Sequence, residues 1–296
     1  MLDRIMVPLD GSKLAEAVLA PIIELALALG GQVHLVHVCD GDDAELRYVY
    51  EAYLAKIAGE CVERMRQGGS KPSVRPAVMD GKAAEGIIDY ADAKRVDLIA
   101  MTSHGRSGAV PWALGSVATK VIHGAHVPVL VLKVGNTEAK RRPPSPFSRI
   151  LMPLDGSVQG EAALPYVKEI ACAVKCDVFL LRVIEPEPRV RTIGGIDHFM
   201  YGEQQVDAMK AKAAAYLDAK GREFDGTLAR LRKEVRVGDA ASEIVRLSAD
   251  ARIGLTALST HGESGLTKWM LGSVSEKIVH AGKTSILLVK ASAGNP

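Results

Sequence analysis

The sequence predicts an α/β fold of two tandem units, each a parallel sheet of five strands covered by helices on both faces. Three observations carry this reading. First, the chain is written twice. Arg4-Ile5-Met6-Val7-Pro8-Leu9-Asp10-Gly11-Ser12 returns as Arg149-Ile150-Leu151-Met152-Pro153-Leu154-Asp155-Gly156-Ser157, and Thr102-Ser103-His104-Gly105-Arg106-Ser107-Gly108 returns as Ser259-Thr260-His261-Gly262-Glu263-Ser264-Gly265. Second, short apolar runs alternate with helix-period segments in each copy, which is the pattern of β-α-β units with right-handed crossovers. Third, 296 residues with 48% hydrophobic and 24% charged content are enough for two ordinary globular domains, each with its own core.

Taken in order, Ile5 to Leu9 is an apolar run closed by an Asp-Gly turn and reads as strand one. Leu14 to Leu29 reads as a helix, Val33 to Val38 as strand two, and Glu45 to Met65 as a helix. Val74 to Met79 is strand three and Ala83 to Ala93 a helix; Leu98 to Met101 is strand four, Gly115 to Ile122 a helix, and Val127 to Leu132 strand five. Asp10 and Asp155 stand 145 residues apart, whereas Gly105 and Gly262 stand 157 apart, so the second unit carries 12 extra residues. The insertion is expected at Glu185 to Met200, where Pro186, Pro188, Gly194 and Gly195 mark irregular chain. Lys140 to Ser148, rich in arginine and proline, reads as the linker between units 1–139 and 149–292.

Composition narrows the function. The net charge of +2 is the difference between 37 basic and 35 acidic residues, so no global field favours nucleic acid or an anionic membrane. The most apolar helix, Leu14 to Leu29, is interrupted by Glu16, Pro21 and Glu24, as suits a buried core helix and not a membrane span. The first residues enter a strand pattern directly, without a leader-like segment, so a cytoplasmic location is expected. Cys39, Cys61, Cys172 and Cys176 do not recur at matching repeat positions and read as free thiols.

In open parallel sheets ligands bind beyond the carboxyl ends of the strands, where strand order reverses. That rule selects Asp10, Val38 and the glycine loop in unit one, and Asp155, Val183 and the loop from Ser259 in unit two. Each loop leads through Leu-Gly-Ser (Gly115-Ser116, Gly272-Ser273) into a helix, a layout that offers backbone N–H groups and a favourable dipole to an anion. Structural readings stand beside these. Asp10 and Asp155 are equally suited to accept backbone N–H bonds in a turn, Ser116 and Ser273 to cap a helix, and His104 and His261 to pack in the loop. Other motifs fail on geometry. Gly282-Lys283-Thr284 lacks the earlier glycine of a P-loop and precedes a strand. His34 and His37, three apart on a strand, point to opposite faces. No nucleophile elbow, carboxylate pair or metal cluster is visible, and no catalytic residue is assigned.

Taken jointly, in order and twice, the Val-Pro-Leu-Asp-Gly-Ser ending of strand one, the Leu-Val-His-Val ending of strand two, the Ser-His-Gly-Arg-Ser-Gly loop and the closing Leu-Gly-Ser resemble the universal stress proteins. The resemblance implies a doubly wound five-stranded fold in each unit and, for the family's ATP-binding branch, a Gly, two residues, Gly, nine residues, Gly-Ser pattern. Carried over, Asp10 and Val38 flank an adenine beside Pro8; Thr102, His104, Gly105, Arg106 and Gly108 form the loop; Gly105 with Gly115-Ser116 holds phosphates; and Val117 continues the helix start. The second set is Pro153, Asp155, Val183, Ser259, His261, Gly262, Gly265, Gly272, Ser273 and Val274. Thr102 and Ser259 depart from the pattern's first glycine, and Glu263 stands where unit one has Arg106. A carboxylate beside a phosphate pocket is unfavourable, so the second site is expected to be weaker, with Lys268 compensating in part.

The resemblance also implies pairing of the two units through their fifth strands, Val127–Leu132 and Thr284–Val289, and is compatible with a homodimer. The expected function is an ATP-binding stress-response regulator or sensor, with or without Mg2+, hydrolysing slowly at most. The alternative is a nucleotide-independent dimerisation or adaptor module. A phosphorylatable receiver built on Asp10, Asp80 and Lys133 fits poorly, because the acidic pair after strand one is missing and unit two has no aspartate in register with Asp80, where Val237 and Gly238 precede a displaced Asp239.

Overall fold

A computed structural model describes residues 1–41, 44–69, 73–103, 114–133, 145–186, 189–193, 196–200, 203–227, 230–260 and 272–291. In unit one the elements are β1 (Arg4–Pro8), α1 (Lys13–Glu16), α2 (Leu19–Leu29), β2 (Gln32–Cys39), α3 (Ala44–Gln67), β3 (Val74–Asp80), α4 (Ala83–Ala93), β4 (Leu98–Thr102), α5 (Ser116–Gly124) and β5 (Val129–Leu132). Unit two follows with β6 (Arg149–Pro153), α6 (Leu164–Val174), β7 (Asp177–Ile184), β8 (Arg189–Ile193), β9 (Ile196–Met200), α7 (Glu203–Gly221), β10 (Arg230–Val237), α8 (Ala240–Asp250), β11 (Leu255–Ser259), α9 (Ser273–Ala281) and β12 (Ser285–Val289).

Both units join one ten-stranded sheet in the order β10-β7-β6-β11-β12-β5-β4-β1-β2-β3. Within this sheet pairing is parallel inside each unit and antiparallel where β12 meets β5, the strand pairing that joins the two halves. At that seam Leu130 stands opposite Leu287, its own repeat counterpart, so a local twofold axis passes through this pair. The pairing expected from the two apolar fifth strands is therefore present, and it covers an edge that each sheet would otherwise expose.

Strand alternation divides the core into two layers. Ile5, Val7, Leu98 and Leu130 pack with α2, α3 and α6, while Met6, Ile99, Val129 and Val131 pack with α4, α5, α8 and α9. Three expectations are corrected. The helix read over Leu14 to Leu29 is two helices, because Pro21 lies in the first turn of α2, where its missing N–H is tolerated; a continuous helix would set its ring against the Ala17 carbonyl. The insertion is not irregular throughout. β8 and β9 form an antiparallel pair with Ile193 opposite Ile196, separate from the large sheet. The linker's last residues also fold. Pro146–Ser148 makes a 3-10 turn whose Phe147 is buried in the core, and the turn's backbone lies where a side chain on Gly254 would fall.

Candidate functional site

Strand order reverses between β1 and β4, and there a cavity of about 270 Å³ opens at the carboxyl ends of the strands. Pro8, Asp10, Val38, Thr102, Gly115, Ser116 and Val117 all line it, so the structure brings together every described unit-one position read from the sequence. His104, Gly105, Arg106 and Gly108 lie outside the described residues, as do His261, Gly262, Gly265, Glu263 and Lys268 of the second copy. Residues that sequence reasoning missed complete the wall. Ala83 and Ile87 come from α4, Met101 from the end of β4, Ala15 from α1 and His37 from β2. They are ordinary apolar positions apart from His37, and only the helix-period spacing of Ala83 and Ile87 hinted at a shared face.

Each wall has a local cause. Gly11 has φ of 83°, a left-handed turn that lets β1 break sharply into α1. Asp10 Oδ1 accepts the Ser12 N–H at 2.9 Å and Ser12 Oγ accepts the Ala15 N–H at 3.1 Å. The turn role weighed for Asp10 is thus present while the residue also borders the cavity. His37 Nδ1 lies 2.7 Å from the Leu9 carbonyl and its ring stacks on Tyr50, whereas His34 pairs with Tyr90 on the opposite face of β2, as strand alternation requires. Gly86 gives α4 a notch for Val38. A Cβ there would lie 2.9 Å from Val38 Cγ1, and this packing sets where the Val38 wall stands.

The floor is the start of α5. Gly115 N–H bonds to the Ser103 carbonyl at 2.8 Å, and the first α5 turn closes with Thr119 N–H on Gly115 O at 2.9 Å. The N–H groups of Ser116, Val117 and Ala118 therefore have no carbonyl partner in the helix, and the positive end of the helix dipole faces the cavity wall that they form. Gly115 is the cap residue, with φ of −65° and no side-chain cap bond; Ser116 is exposed in the first turn and does not cap. That corrects the capping alternative for Ser116, and Gly272 with Ser273 repeats the arrangement at α9. Since φ near −65° suits any residue, the backbone angle does not require glycine at 115. Thr102 and Ser259 are not among the non-glycine residues at positive φ, so the loss of the pattern's first glycine carries no backbone strain.

Unit two departs in the crevice itself. The turn after β6 is a 3-10 segment, Gly160–Ala163, in place of α1. Ser259 Oγ donates to the Gly160 carbonyl at 3.1 Å, which ties this turn to the end of β11 across the switch point. Asp155 Oδ1 accepts both the N–H and the hydroxyl of Ser157, at 3.0 and 2.7 Å, and lies 2.1 Å from where a Cβ on Gly160 would be. Arg182 occupies the repeat position of His37 and donates to the Leu154 carbonyl at 3.2 Å. Pro153 ends β6 and is half-buried; Val183 and Val274 pack beside the α8–α9 core layer.

The universal stress protein family profile matches residues 1–133 and again 146–290. Universal stress protein MJ0531 of Methanocaldococcus jannaschii is 31% identical over 138 residues, covering 44% of this chain and 81% of that protein. Universal stress protein Rv2005c of Mycobacterium tuberculosis is 25% identical over 248 residues, covering 81% of this chain and 76% of its own. In fold, the chain matches the crystal structure of a universal stress protein from Archaeoglobus fulgidus with a TM-score of 0.68 at 18% identity, over 99% of this chain and 100% of that one. Among the described residues no helix is long and apolar enough to cross a membrane. Two successive profile matches, on two β-α units that share a switch-point architecture, show that this chain belongs to the universal stress protein family as a tandem member.

Proposed function

We propose that the chain binds ATP in the cavity of its first unit and acts as a stress-response regulator or sensor. One observation supports the reading: an apolar cavity at the β1/β4 switch point ends on the first-turn N–H groups of α5, which have no carbonyl partner within the helix. The residues fit the ligand. Pro8, Val36, Val38, Ile87 and Met101 offer an apolar lining suited to a purine, and Asp10 adds a carboxylate for ribose or base donors. Ser116, Val117 and Gly115 provide backbone N–H groups and room for phosphate oxygens, supported by the helix dipole. The glycine loop with Gly105, Arg106 and Gly108 belongs to the proposed phosphate contact by resemblance alone. Mg2+ is compatible with this arrangement and not required by it.

Hydrolysis is slow at most on this reading. The described lining holds two titratable side chains, Asp10 and His37, and both already hold local backbone, at Ser12 and Leu9. Regulation follows instead from ligand binding that favours one conformation over another.

Calorimetry with ATP on the wild type and on Gly115→Val tests the assignment. Valine keeps an allowed backbone but fills the space over the helix end, so affinity should fall at least tenfold. Equal affinity in the two proteins would sink it. A second reading, a nucleotide-independent pairing module, is favoured for unit two by the Ser259–Gly160 tie and the continuous β5–β12 seam. Denaturing release of copurified nucleotide, with its stoichiometry, separates the two readings.

A further inference from the structure

The β5–β12 seam carries more than strand pairing. Lys290 follows β12 of unit two, and its Nζ donates to the His123 carbonyl in the last turn of α5 at 2.7 Å. Lys133 follows β5 of unit one and donates from Nζ to the carbonyls of Val279, at 3.0 Å, and Gly282 at the end of α9. The two lysines stand 157 residues apart, the repeat offset that relates Leu130 to Leu287 at the centre of the seam. Each unit therefore lends the other a cation for the carbonyl end of one helix, where the last carbonyls lack partners and the dipole is negative. Burial holds both ammonium groups below the ordinary lysine range. The contacts are thus kept at a desolvation cost that an unneeded surface lysine would not bear.

These two helices begin at Gly115-Ser116 and Gly272-Ser273. A nine-residue helix is a rigid rod roughly 13 Å long, so a grip on its carbonyl end fixes the axial position of its amino end. We propose that Lys290 of the second unit is a positioning residue for the cavity of the first, holding α5 so that its first-turn N–H groups meet the ligand's phosphates. The inference rests on the reading of that cavity as an ATP site. It makes the second unit a part of the first unit's binding apparatus.

The test uses the full chain as wild type, Lys290→Met, Lys290→Arg and Lys133→Met, with ATP as the probe. Lys290→Met should weaken ATP binding about threefold to tenfold and speed amide hydrogen exchange across residues 116–124. Lys290→Arg, which keeps a cation in reach of the carbonyl, should bring affinity back to within about twofold of wild type. Lys133→Met removes the matching contact at α9 and should leave ATP affinity in unit one unchanged. Wild-type affinity in Lys290→Met, or an equal loss in Lys133→Met, overturns the inference. If the wild type itself fails to bind ATP, the nucleotide reading falls with it, and exchange at α5 separately reports whether Lys290 holds the helix.

Discussion

The Ser259 hydroxyl donates to the Gly160 carbonyl at 3.1 Å, bridging the two strand ends between which the second unit's ligand crevice would open. Its repeat counterpart, Thr102, instead lines the open cavity of the first unit. Arg182 on the Leu154 carbonyl and Asp155 on Ser157 repeat the His37 and Asp10 contacts of unit one, so the Ser259–Gly160 bond is the contact that sets the second crevice apart among the described residues. On the proposed ATP reading, a bridge across the second crevice predicts one ATP per chain. Equilibrium dialysis at saturating ATP checks it, and a value near two would contradict the tie.

Gly86 offers a way to narrow the cavity without unfolding the protein. Alanine in a helix interior gains about 1 kcal/mol over glycine. Here its Cβ would press on the stiff, β-branched Val38 at 2.9 to 3.1 Å, an overpacking cost of roughly 1–2 kcal/mol. The two terms nearly cancel in stability, but the displacement of Val38 does not cancel, because that side chain is a cavity wall. Gly86→Ala should keep its melting temperature within a few degrees of wild type and lose about fivefold or more in ATP affinity. An unchanged affinity would mean that Val38 relaxes away from the ligand.

Thiol chemistry should single out one cysteine. Cys39, Cys61 and Cys176 are buried, whereas Cys172 is exposed on α6. Burial raises the Cys61 thiol to about 11 and the Cys176 thiol to about 12, with the Arg64 charge opposing the shift at Cys61, so at pH 8 neither supplies thiolate. A colorimetric disulfide reagent should titrate one fast thiol per native chain and four in denaturant. Two fast thiols in the native protein would show that one of the buried sites opens on the assay timescale.

Much of this architecture was legible because its signals are local. Asp10, Val38 and Gly115 sit where an apolar run meets a turn or a helix start, and the repeat doubles each signal. What escaped is relational. The Gly86 notch and the Ile87 and Met101 walls are plain small or apolar residues until the fold sets them around one space. Lys290 on His123 required the β5–β12 register, which no spacing encodes. Glu263, from which the sequence predicts a weaker second site, lies outside the described residues; within them the two units differ at the Ser259–Gly160 bond. Two local signals were present but misread. Pro21 divides α1 from α2, and the Gly194-Gly195 dipeptide between apolar residues suits a hairpin such as β8–β9 better than irregular chain.

The seam lysine Lys133 gives the fold a distinctive alkaline response. Burial lowers its ammonium from the ordinary 10.5 to about 8, so between those values the unfolded chain binds more protons than the folded one. Stability linked to Lys133 must then rise as pH climbs from about 8 towards 10.5; below pH 8 the lysine is charged in both states and its full desolvation cost is present. The buried thiols act with the opposite sign. Their folded values lie above the unfolded 9.0, so unfolding is favoured as pH rises through 9 towards 11. Comparing the wild type with Lys133→Met cancels the thiol contribution, since both proteins carry it. The stability of the wild type relative to the variant should therefore grow with pH, by about 1–2 kcal/mol between pH 7.5 and 10 after allowing for solvent screening of a partly exposed group. Urea unfolding at four pH values in that interval measures the difference. A flat difference would show that the carbonyls of Val279 and Gly282 hold the ammonium charged at the seam and offset its burial.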